Sequence, residues 1–199
     1  MKYTNRSSIT YIPLLVFLFT SPGLMAGDLS IAQDGESGSI STQIADENAE
    51  FSVSIDQSGV ENMLSLQVDS DINANIVQQG GFGKISLDID SASDNLDLSQ
   101  LGNGNQITGI LAGSSNTFTL LQENDGNTLT FDVSGSVNTL DLSQTGAGNT
   151  MNLGIKGNEG TFKLSQNGDN NDIDIQNVGN GISITIDQNG NGESISIFR

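Results

Sequence analysis

Eight glutamines in this chain fall on a 22-residue ruler: Gln33, Gln57, Gln78, Gln100, Gln122, Gln144, Gln166 and Gln188. The first two intervals are 24 and 21 residues, and the remaining five are all 22. Self-similarity at a fixed period of roughly 20–50 residues marks a stacked repeat, in which each unit buries its apolar face against the next. Such a chain folds as a linear stack. The ends of the stack are then the surfaces left to satisfy.

Within one repeat, Leu140 and Leu142 alternate with Thr139, Asp141 and Ser143 before Gln144. After the break at Gly146-Ala147-Gly148, Met151, Leu153 and Ile155 alternate with Thr150, Asn152 and Gly154. Period-two alternation predicts a strand with one buried face, and glycines between two such runs predict a tight turn. The same pattern recurs from Leu29 and Ile31 to Ile195 and Ile197, weakening only at Ile107 and Gly109. The expected fold is all-β: a β-solenoid of about eight strand–turn–strand repeats of 22 residues. At about 4.8 Å per rung the stack would be roughly 38 Å long.

Parity places the amides. Each ruler glutamine shares its face with the apolar residues two and four before it, so it points inward. The residue five after it joins the inner face of the second strand; it is Asn62, Asn105, Asn127, Asn149 and Asn171 in five repeats. A buried carboxamide is costly unless its donors and acceptors are met. Identical amides stacked rung on rung can meet each other, as in the ladders of cross-β structure. These glutamines and asparagines are therefore the candidate self-assembly ladders. Gly59, Gly80, Gly102, Gly146, Gly168 and Gly190, two after the glutamine, are read as the turn formers, since a sharp corner asks for positive φ.

Residues 1–26 read differently. Lys2 and Arg6 precede a mostly apolar run from Tyr11 to Phe19, then Pro22 and Ala26, the order of a secretory signal peptide. Cleavage is expected after Ala26, with Gly23 as the alternative. Residues 27–199 then form one repeat domain carrying 24 acidic and four basic side chains, a formal charge of −20. Phosphate binding runs on Lys and Arg, so direct nucleic-acid binding is not expected. The repeats end at Ser194 to Arg199 without a capping segment, and unprotected strand edges template further pairing. A homopolymer grown rung on rung is the expected assembly.

Chemistry finds little support. Cysteine, histidine and tryptophan are absent. Asp88 with Asp90 and Asp172 with Asp174 flank inward residues and so project to solvent, unlike the opposed carboxylates of a glycosidase cleft. Asp169 to Asp172 is rich in oxygen but lacks the Gly and Glu of an EF-hand loop. A flat threonine array for ice binding is broken by Asp141 and Lys163. The expectation is a non-enzyme with no cofactor and no metal. The alternative is a non-polymerising secreted solenoid that binds a ligand or carbohydrate on its flat face.

The recurring Gln-x-Gly-x-x-Asn core, as in Gln100-Leu-Gly102-Asn-Gly-Asn105, Gln144-Thr-Gly146-Ala-Gly-Asn149 and Gln166-Asn-Gly168-Asp-Asn-Asn171, resembles the repeats of the curlin family of curli fibre subunits. The resemblance covers essentially all of residues 27–199. It departs from the family pattern eleven residues after each glutamine, where a second glutamine gives way to Val68, Ile89, Leu111, Val133, Ile155 and Asn177. Bulky residues such as Leu129 and Met151 replace a small alanine seven after it. The resemblance implies a Gram-negative, secreted, cell-surface subunit of amyloid-like fibres for adhesion and biofilm matrix. Its partners would be itself, a related fibre or nucleator subunit, and an outer-membrane secretion channel.

Overall fold

The computed structural model describes residues 2–5, 14–18, 27–44, 51–68 and 71–199, and all of its secondary structure is strand. Two short strands come first, β1 (Lys2–Asn5) and β2 (Leu14–Leu18). Eight strand pairs follow, each making one rung. Rungs 1 to 3 are β3 (Asp28–Glu36) with β4 (Ser39–Ile44), β5 (Ser52–Val60) with β6 (Met63–Val68), and β7 (Ile72–Gly81) with β8 (Lys84–Ala92). Rungs 4 to 6 are β9 (Asp94–Leu101) with β10 (Gln106–Ser114), β11 (Thr117–Glu123) with β12 (Thr128–Ser136), and β13 (Thr139–Thr145) with β14 (Thr150–Lys156). Rungs 7 and 8 are β15 (Thr161–Asn167) with β16 (Asp172–Val178), and β17 (Ser183–Asn189) with β18 (Ser194–Phe198).

First strands stack only on first strands and second strands only on second, giving two nine-stranded, wholly parallel sheets that face one another. This is a β-solenoid. Parallel pairing follows from the connectivity, because a chain that advances one rung per circuit passes each corner in the same direction every time. Every ruler glutamine lies in register with the next, from Gln33 on Gln57 to Gln166 on Gln188. The two irregular intervals leave that register intact: their length differences fall in the connections 45–51 and 69–71, between strands.

The core is the space between the sheets, filled by the alternating residues of both. Phe118 and Phe131 stack across it with ring centroids 6.0 Å apart. Gly109, the weak point of the sequence pattern, lies in register with Phe131, and a Cβ there would overlap that ring. The glycine is a size complement to its neighbour rather than a gap in the core. Eleven residues after each glutamine, Ile44, Val68, Ile89, Leu111, Val133 and Ile155 form a fully buried apolar column. In rung 7 the pairing shifts by one residue after Gly154, so Val178 rather than Asn177 takes the register position of Ile155. Counting eleven from Gln166 therefore misassigns this rung.

The expected signal peptide, including its cleavage site, lies largely outside the described residues. Its two described pieces, β1 and β2, pair in parallel with β3 and β4 at the N-terminal end of the stack. Among the described residues each sheet thus runs from β1 or β2 at one end to β17 or β18 at the other. Every buried core residue among those described falls between Leu29 and Ile175.

Candidate functional site

The eight glutamines form one continuous ladder. In each of the seven steps the Nε2 of one glutamine donates to the Oε1 of the next, at 2.7–3.1 Å. From Gln78 onward, the same nitrogen also donates to a backbone carbonyl at the start of the preceding rung's second strand. Gln122 meets Gln106 in this way at 3.1 Å, and Gln144 meets Thr128 at 3.0 Å. One amide therefore ties its own strand to the strand opposite and to the rung above. All the ruler glutamines except Gln33 are buried, so every step after the first is made away from water. Such a bond nets about 1 kcal/mol when made, and an orphaned partner costs about 1–3 kcal/mol.

The asparagines sit at the first corner and work differently. In Asn127, Nδ2 donates to the carbonyl of Glu123 in its own turn and to that of Gly146 in the next rung's turn. Its Oδ1 accepts the backbone N–H of Asn149 at 3.0 Å. Asn62, Asn105, Asn149 and Asn171 repeat the pattern in whole or in part. A side-chain bond between successive asparagines occurs between Asn149 and Asn127, at 3.1 Å. The expected asparagine ladder is thus mainly a set of backbone staples. Asparagine is one methylene shorter than glutamine; it stays at the corner, where turn carbonyls are the nearest acceptors.

The six turn glycines all have positive φ, between 112° and 142°. At Gly146 the reason goes beyond φ: a Cβ would overlap the carbonyl oxygen of Gly168 in the rung above. The turn is glycine because turns stack in contact.

Two further features escaped the sequence pattern. At the second corner, Asp94, Asn116 and Asn138 form another staple column, each accepting the backbone N–H of the equivalent residue one rung on. All three are buried. The signal was present six residues before each of Gln100, Gln122 and Gln144, in only three consecutive repeats. On the exposed turns, Asp125, Asp169 and Asn191 likewise accept the backbone N–H of the rung before, at 2.8–2.9 Å.

The acids follow a rule of their own. In none of the described strand registers does an acidic residue lie opposite another acidic residue. Asp88 and Asp132 are separated by Ile110, and Asp97 and Asp141 by Thr119. Asp141 instead faces Lys163, with 3.7 Å between charged atoms. In a parallel in-register stack, like charges on adjacent rungs would sit about 4.8 Å apart, so the spacing removes the main electrostatic obstacle to stacking.

Among the described residues no group of acidic side chains is arranged to hold a metal ion. Comparison with protein-family models, with curated proteins and with solved structures gave no match to this chain.

Proposed function

We propose that this chain is a secreted structural subunit that assembles rung on rung into extracellular, amyloid-like fibres of the curli type, serving adhesion and biofilm matrix. One observation carries the reading. Rungs of one pattern stack in parallel and in register, and identical buried glutamines bond from each rung to the next. Separate chains stack in the same way in a cross-β fibre, through in-register strands and amide ladders. The partner that such a rung fits best is a rung of the same design. The chain acts by binding its own kind rather than by catalysis. The curlin resemblance supports the same reading and suggests a related fibre subunit and an outer-membrane channel as further partners.

Residues 27–199, purified and concentrated, are expected to form thioflavin-positive fibres. Aligned fibres should diffract at about 4.7–4.8 Å along the axis and about 10 Å across it. A chain that stays monomeric at high concentration would refute the proposal.

A further inference from the structure

Five Asn–Gly pairs occur in the chain, and the turns account for them. Two of them, Asn103-Gly104 and Asn191-Gly192, fill the same turn positions on rungs 4 and 8, just after the glycines at Gly102 and Gly190. The second place asks for glycine, because φ there is 67° at Gly104 and 73° at Gly192. The first place asks for a short polar side chain that accepts a backbone N–H. Asn191 takes that of Asp169 at 2.9 Å, just as Asp125 and Asp169 take those of Asn103 and Ala147. Asparagine before glycine is also the pair most open to attack on its own side chain, since the following residue has no Cβ to hinder its backbone nitrogen.

In the folded chain both partners of that reaction are held. Gly104 donates its N–H to the Gly81 carbonyl at 2.8 Å, and Gly192 donates to the Asp169 carbonyl at 2.9 Å. The Nδ2 of Asn103 donates to Asp125 Oδ1 at 3.3 Å, and the Asn191 amide is fixed by its bond to Asp169. Asn103 and Asn191 are both exposed, so water reaches them. What the stacked rungs withhold is the nucleophile.

We propose that Asn103 and Asn191 are sites of spontaneous deamidation, open in the unfolded chain and closed by the rungs stacked on their turns. The backbone nitrogen of Gly104 gives up its proton and bonds to Cγ of Asn103, whose amide nitrogen leaves as ammonia. Water then opens the cyclic imide at either carbonyl, giving aspartate or isoaspartate. Gly192 acts on Asn191 in the same way. The product breaks the spacing of the acids. Along this turn column the residues are Asn103, Asp125, Ala147, Asp169 and Asn191, which keeps the two acids apart. Conversion sets a carboxylate oxygen where the Nδ2 of Asn103 now meets Asp125. It sets another beside Asp169, one rung away at about 4.8 Å. A chain that waits unfolded thus gains charge where the stack least accommodates it, and a folded chain does not. The modification limits how long an unfolded chain stays fit to fold, whether or not copies assemble.

The test uses the full chain in mildly alkaline buffer, either folded, with strand content checked by circular dichroism, or unfolded in guanidinium. Peptide mass mapping reads the conversion at each asparagine. Asn103 and Asn191 are expected to convert at least about tenfold more slowly in the folded chain, because the reaction waits on local opening. Equal rates in the two states, or no conversion in denaturant, overturn the proposal. The consequence is tested with Asn103→Asp and Asn180→Asp. Asn180 also precedes a glycine and accepts the Asn158 N–H at 2.9 Å, but its column neighbours, Asn158 and Ser136, are uncharged. Asn103→Asp is expected to lower the urea midpoint in about 10 mM salt and to recover in about 1 M salt. Asn180→Asp should change it little. Equal shifts for the two variants overturn the electrostatic consequence.

Discussion

At the scale of single residues, glutamine and asparagine share a functional group but divide the work by reach. The longer side chain crosses to the opposite strand and the next rung; the shorter one staples its corner. Parity along the strand makes both visible as inward residues, which is why the ladder positions were legible. It cannot tell whether an amide bonds to its own kind or to the backbone, because that depends on where turn carbonyls come to lie. Glycine shows the same limit. Positive φ is readable from a turn pattern, whereas contact with the turn above is not. The two contributions separate by substitution. Gly146→Ala is expected to cost about 4 kcal/mol, from strain and from overlap with the Gly168 carbonyl. Gly192→Ala has φ of 73° and open space around the new methyl, and should cost only about 1–2 kcal/mol. Urea unfolding of both variants decides the matter; equal losses would show that φ alone selects these glycines.

At the scale of the strand, outward residues look interchangeable until the registers are written out. The columns then show acids kept at least two rungs apart, a constraint that belongs to pairs of repeats and not to any single one. Reading repeats one at a time hides it, just as it hides the second staple column of Asp94, Asn116 and Asn138. Ile110, itself half-exposed between Asp88 and Asp132, is the place to test the rule. Ile110→Asp would set three carboxylates in one column and is expected to lose about 1 kcal/mol more than Ile110→Asn. The excess should be measurable as a lower urea midpoint in about 10 mM salt and should shrink in about 1 M salt, where the Debye length is short. Two variants of equal stability in dilute salt would mean that the spacing has no energetic role.

For the molecule as a whole, a solenoid is close to one-dimensional, so each rung is held mainly by its two neighbours. The fold class was legible because a fixed period leaves few other ways to bury the apolar positions. The direction of the ladder, each glutamine donating to the next one toward the C-terminus, was not, since it comes from the orientation of the amides. Protection should follow position. Backbone amides of rungs 4 to 6 are expected to exchange slowest with deuterated water, and those of β17 and β18 fastest among the ladder strands in the monomer. Uniform protection along the stack would argue against rung-by-rung opening. The interleaved acids have one more consequence, which concerns shape. Along its axis the described strand registers hold no facing pair of acidic residues, yet the chain carries a net charge of −18, most of it on outward positions. Two such rods repel side by side far more than end to end. If the chain stacks as proposed, this geometry favours long, thin, separate filaments in dilute salt and leaves thickening into bundles to whatever screens the flanks.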